Sequence, residues 1–188
     1  HVASAWVGMF SFAVAAVAGV VYLIKKSVKW DLIGLSAIEI GIAFSLITLI
    51  SGMIWARPIW NSWWTWDPQL TTFTIMELIY FAYLMLRQGI EDPNRKYRFG
   101  AVYAIIGFIS VPLTFFSIRI FERTIHPAVI GASDANAIGG FDMTPLMVQT
   151  LLFSILVFTV MFFDLIWHRI RLGQFAEQVN ELKLRIQE

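Results

Sequence analysis

The chain has 188 residues, 58% of them hydrophobic and only 14% charged, and its formal net charge is +1. A soluble domain carries about a quarter charged residues, so this composition excludes one, and the near-zero charge excludes nucleic acid or another polyanion as a partner held by bulk electrostatics. No cysteine is present, which excludes a disulfide, a thiolate metal site and thioether attachment of a cofactor.

The chain begins at His1, directly before an apolar run, and a further upstream segment is expected. Five apolar segments follow, at roughly 2–24, 32–54, 70–86, 101–120 and 145–167. Each is long enough to cross a hydrocarbon core of about 30 Å as a helix. They are too long for barrel strands and lack strict alternation. The expected fold is therefore all-α, a polytopic transmembrane helical bundle over residues 1–167, with five spans in this chain. No internal repeat, low-complexity tract or water-soluble domain interrupts it. The connections are a short basic loop at 25–31, a tryptophan-rich loop at about 55–69, a charged loop at 87–100 and a longer loop at about 121–144.

A polar tail, 168–188, closes the chain. Phe175, Val179, Leu182 and Ile186 recur in it at helical spacing, which predicts one more amphipathic helix. It would lie on the inner membrane surface or dock a cytoplasmic partner subunit.

Lysine and arginine are distributed unevenly over the loops. Eleven (Lys25, Lys26, Lys29, Arg87, Arg95, Lys96, Arg98, Arg169, Arg171, Lys183 and Arg185) fall on one side, and Arg57, Arg119 and Arg123 on the other. By the positive-inside rule, His1, the tryptophan loop and the 121–144 loop are outer, and the tail is cytoplasmic.

Five of the eight tryptophans stand between residues 55 and 67: Trp55, Trp60, Trp63, Trp64 and Trp66, followed by Asp67 and Pro68. A generic interfacial belt scatters one or two per helix end. This density predicts a flat aromatic platform facing a planar ligand. The three histidines sort by topology: His1 and His126 are outer, whereas His168 ends the fifth span on the inner side and reads as an interfacial side chain. Two outer histidines around an aromatic patch fit a haem held by two axial imidazoles, with Arg57, Arg119 and Arg123 as the outer cations for its propionates. The alternative is that both are ordinary interfacial residues. Zinc is disfavoured, since three protein ligands at a suitable spacing are missing, and no nucleophile elbow or thiol supports covalent catalysis. Glu39 and Glu77 fall inside apolar segments, where a carboxylate is expected to be paired or protonated; Glu77 could also support the loop or relay a proton.

At these residues the chain resembles the haem-handling membrane proteins of cytochrome c biogenesis, and among them the CcmC type. The stretch Trp60-Asn61-Ser62-Trp63-Trp64-Thr65-Trp66-Asp67-Pro68-Gln69-Leu70-Thr71 is similar to the WGxWWxWDxRLT string of the WWD motif, and His1-Val2-Ala3-Ser4-Ala5-Trp6 to HVPxAW. His126 matches the second outer histidine. The departures are Asn61 for glycine, Gln69 for arginine and Ala3 for proline. The resemblance implies six spans in the full protein and a bacterial inner membrane location with the haem site on the periplasmic side. It implies a non-enzymatic role: binding haem b non-covalently through His1 and His126, with Trp60, Trp63, Trp64, Trp66, Asp67, Arg57 and Arg123 around it. The haem would be presented to the chaperone CcmE, beside the ABC transporter subunits CcmA and CcmB and the small membrane protein CcmD. Rival readings are a membrane haem-containing oxidoreductase, for which histidines at a second depth are missing, and a haem permease.

Overall fold

A computed structural model describes residues 1–121, 125–126 and 143–187, the last of these with positions 180, 181, 184 and 187 as backbone only. Among the described residues six helices follow in order: α1 (Val2–Lys25), α2 (Val28–Trp60), α3 (Pro68–Gly89), α4 (Pro93–Gly107), α5 (Ser110–Ile120) and α6 (Pro145–Gln187). Five helical stretches are long and apolar enough to cross a membrane, with α4 and α5 counting as one. The chain is a polytopic helical bundle, as the composition predicts.

The helix ends show why the spans exceed the apolar runs. Lys26 takes a left-handed conformation (φ 53°) after α1, and its N–H donates to the Tyr22 carbonyl, which closes the last turn and sends the chain back after one further residue. α2 runs on to Trp60, so Trp55 and Trp60 lie on its final turns. The tryptophan loop expected at 55–69 thus shrinks to 61–67. Pro58 sits inside that last turn, where a missing N–H costs one bond, and Arg57 holds the end by donating to the carbonyl and side-chain oxygens of Asn61, each at 2.7 Å. Asp67 and Asp92 cap α3 and α4, each with proline at the first turn, the arrangement that satisfies the orphan N–H groups of a helix start. The fourth span therefore begins well inside the loop expected at 87–100. It breaks at Phe108–Ile109, one turn before Pro112, which cannot donate back to Phe108; the Ser110 hydroxyl satisfies the Gly107 carbonyl there at 2.6 Å.

α1 and α2 form the central pair. Their approach relies on small residues: a Cβ at Gly41 would stand 2.6 Å from the Phe12 ring, and one at Gly8 would stand 2.7 Å from the Ser45 hydroxyl. Close backbone approach of this kind drives helix association where lipid removes the hydrophobic incentive. The Phe12 and Tyr80 rings stack face to face at 3.6 Å and tie α3 to α1. α6 is the least embedded span, anchored by Phe162 against Phe10 and by the Trp6 indole, which donates to the Thr159 hydroxyl at 3.1 Å.

Two interhelical ion pairs among the described residues stand toward the Lys25–Val28 end. The Arg87 guanidinium grips Asp31 with two bonds of 2.6 and 2.7 Å, and both side chains are under a tenth exposed. Arg169 on α6 pairs with Glu39 at 2.6 Å, the pairing anticipated for a carboxylate at that depth. The tail is helical as expected, but no break separates it from the fifth span: α6 is one helix of 43 residues, about 65 Å long. The reading of a separate helix lying on the membrane surface gives way to a continuation of the span.

Candidate functional site

At the opposite end, where His1, residues 61–67 and His126 meet, α1, α2, α3 and α5 enclose a cavity of about 420 Å³. This volume lies in the range of cofactor pockets. Its wall is largely apolar, with Met9, Met53, Met76, Phe73 and Phe115 among the lining side chains, and with Ser45, Thr48 and Thr114 as buried polar members. His1, His126, Trp55, Trp60, Trp63 and Trp64 all face it. His1 and His126, 125 positions apart in the sequence, thus share one chamber.

Each histidine is oriented by a specific neighbour. His1 precedes α1, and its carbonyl accepts from the Ala5 N–H and the Ser4 hydroxyl, so the residue is fixed to the helix start. Its Nδ1 lies 3.2 Å from the Ser51 hydroxyl. That hydroxyl donates to the Ile47 carbonyl at 2.6 Å, so it accepts from His1, which puts the imidazole proton on Nδ1. The ring rests on Gly52, where a Cβ would come within 2.8 Å of it. His126 places Nδ1 2.6 Å from Asp67 Oδ2, and the Trp60 ring packs edge-on against its imidazole at 5.0 Å.

Asp67 is the hinge of this arrangement. One carboxylate oxygen accepts from the Leu70 N–H and caps α3, while the other holds His126. Its side chain is 7% exposed. Asp67 thereby ties the turn at the start of α3 to His126. Asn61, where the family string has glycine, adopts φ 52° and ψ 25° as the cap of α2. Asparagine is the residue next to glycine in tolerating that left-handed region. Gln69, in place of the arginine, lines the cavity and accepts a short hydrogen bond from Ser117 on α5.

The tryptophans do not form the flat platform expected. Trp55 and Trp60 meet at 89° and Trp64 and Trp66 at 81°, the edge-to-face packing that aromatic quadrupoles favour. Trp66, 73% exposed, does not line the cavity. Arg57 does not line it either; its guanidinium serves Asn61 and lies 6.0 Å from the Trp63 ring. Arg123, assigned to the same site, lies outside the described residues. His168 sits at the far end of the bundle beside Asp164. Glu77 is buried next to the lining residue Met76 and close to the Ser45 hydroxyl.

Sequence reasoning missed Ser51, Gly52, Ser117 and the methionines of the wall. Only Gly52 carried a signal, a glycine within an apolar helix, and that signal does not say what approaches it.

Residues 1–185 match the sequence profile of CcmC, described as "Heme exporter protein C". The chain belongs to the CcmC family. It is 31% identical over 160 residues to "Heme exporter protein C" of Bradyrhizobium diazoefficiens, covering 85% of this chain and 61% of that protein. It is 28% identical over 185 residues to the protein of the same name from Rhodobacter capsulatus, covering 98% and 75%. A "Putative cytochrome c biosynthesis ccmC-like mitochondrial protein" of Marchantia polymorpha is 29% identical over 130 residues, 69% of this chain and 54% of that protein. The chain thus spans about three fifths of the length of the Bradyrhizobium protein.

Proposed function

We propose that this chain binds haem b non-covalently in the outer-end cavity, with His1 and His126 as the axial ligands, and presents it to a periplasmic chaperone of the CcmE kind. The observation that carries this reading is the convergence of two oriented imidazoles on one aromatic-walled cavity. The donor set fits the group. A ligating histidine characteristically has its second nitrogen held by a carboxylate or another polar group, and Asp67 and Ser51 stand in those positions. With Nδ1 of each ring so engaged, Nε2 is the coordinating atom. The buried Trp64 N–H has no partner among the described residues, and it supplies a donor for a carboxylate entering the cavity. The names of the relatives support haem handling in cytochrome c biogenesis.

Bound there, the iron porphyrin would be cargo to be handed on, and this chain's side chains perform no bond-making step. His1 and His126 hold it, Asp67 and Ser51 set the imidazoles, and Trp60, Trp63 and Trp64 exclude water from its faces and edge. The exposed indoles of Trp63 and Trp66 offer a surface for the chaperone. CcmA, CcmB and CcmD are the proposed companions in a bacterial inner membrane, with the histidine end of the bundle periplasmic. The protein purified with and without CcmE tests this: a low-spin Soret band with bis-histidine character should accompany the protein alone and pass to the chaperone on mixing. A purified protein that takes up no haem, or holds it with His1 and His126 both replaced, would defeat the reading.

A further inference from the structure

At the end of the bundle away from the cavity, α6 continues as helix to Gln187. Its contacts step down the bundle in register: Thr159 with Trp6, Arg169 with Glu39, then Gly173 packed on Leu32 near the start of α2. The extension therefore keeps the direction of the span. At 1.5 Å per residue, Ile186 stands about 20 Å beyond Gly173. A helix lying on the membrane would have to turn sharply after the span, and α6 is unbroken there.

Along this extension Leu172, Phe175, Val179, Leu182 and Ile186 are all exposed. Their spacing is three, four, three, four, the alternation of a and d positions in a heptad, which packs one helix against another. In this register the e and g positions hold Arg171, Ala176, Gln178, Lys183 and Arg185. Three of the five are cationic and none is acidic, while Glu177 falls on the opposite side. We propose that α6 from Arg171 onward is one strand of a coiled coil, and that its partner is a helix of another protein carrying acidic residues beside its own apolar seam. Flanking charges set partner choice in coiled coils. A second copy of this chain would bring further cations to a seam with no carboxylate to meet them. The seam is independent of the haem reading, because it lies at the other end of the molecule and shares no residue with the cavity.

The full chain in phosphatidylcholine nanodiscs can be titrated with two labelled four-heptad peptides that share apolar a and d residues but carry glutamate or lysine at e and g. The glutamate peptide should bind at least about tenfold tighter, with the difference shrinking at high salt. Leu182→Asp should abolish binding. Reversing the flank with Lys183→Glu and Arg185→Glu should switch the preference to the lysine peptide, a gain that a damaged tail could not give. Equal affinity for the two peptides would overturn the proposal. So would crosslinked dimers of a Val179→Cys chain that the glutamate peptide does not suppress, or loss of peptide binding when phosphatidylglycerol is added because the tail binds that surface instead.

Discussion

Asp67 Oδ2 and His126 Nδ1 stand 2.6 Å apart, and the other oxygen of the same carboxylate caps α3 through Leu70. The imidazole at the far edge of the cavity is thereby fixed to the start of a transmembrane helix, and the tryptophan string is the segment that ends on that cap. Any change at Asp67 reaches both the loop and the His126 imidazole.

Asp67→Asn should accordingly weaken haem retention, by about 10- to 100-fold as for other residues that orient ligating histidines. Asparagine can still cap α3, so the bundle should keep its melting behaviour in detergent. Absorption at the Soret maximum per mole of protein checks the first part and thermal unfolding the second. Haem content equal to that of the unaltered protein would remove Asp67 from the site.

His1→Ala and His126→Ala should each lower haem content, with partial recovery on adding imidazole, because a free ligand can enter the space left by the ring. His168→Ala, at the other end of the bundle, should leave the spectrum unchanged. Equal spectra for all three variants would show that neither outer histidine binds iron.

Gly52→Ala tests His1 from the other helix. The added methyl would meet the His1 ring at 2.8 Å, and a side chain at a helix end can swing away without disturbing the fold. The expected result is a loss of haem affinity of about tenfold or more, since a small misplacement of a positioned group is costly. The His1→Ala, Gly52→Ala double variant should be no worse than His1→Ala alone.

The Asp31–Arg87 pair predicts a stability effect remote from haem. Replacing Arg87 with methionine leaves a buried carboxylate, which costs about 3–5 kcal/mol when one partner of a buried pair is removed. The Asp31→Asn, Arg87→Met double variant should recover part of that loss. Unfolding in detergent measures both, and additive effects would mean that the two groups do not act as a pair.

Orientation can be tested in a chain without a native cysteine. A cysteine at Ser62 should react with an impermeant thiol reagent from the periplasm, and one at Gln88 should not. The opposite labelling pattern would invert the assignment of the cavity end.

Much was legible in the sequence: the membrane bundle, its five spans in this chain and the loop that carries His126. These follow from hydropathy, segment length and residue type, which are local quantities. It also named the WWD string and the heptad residues of the tail, because both are contiguous or periodic. What these residues touch is set by the packing of the helices against one another. The extension of α2 through Pro58 to Trp60 depends on the Arg57–Asn61 cap, and the perpendicular tryptophans depend on pairwise ring packing, neither of which hydropathy reports. The joining of the tail to α6 rests on the absence of any break between Trp167 and Gly173, where the charged residues alone suggested a boundary. Asp67 with His126, His1 with Gly52 and Asp31 with Arg87 bring together positions about fifty or more apart in the chain. Such contacts are set by the way helices pack across the bundle, and a single sequence holds no periodic signal for them.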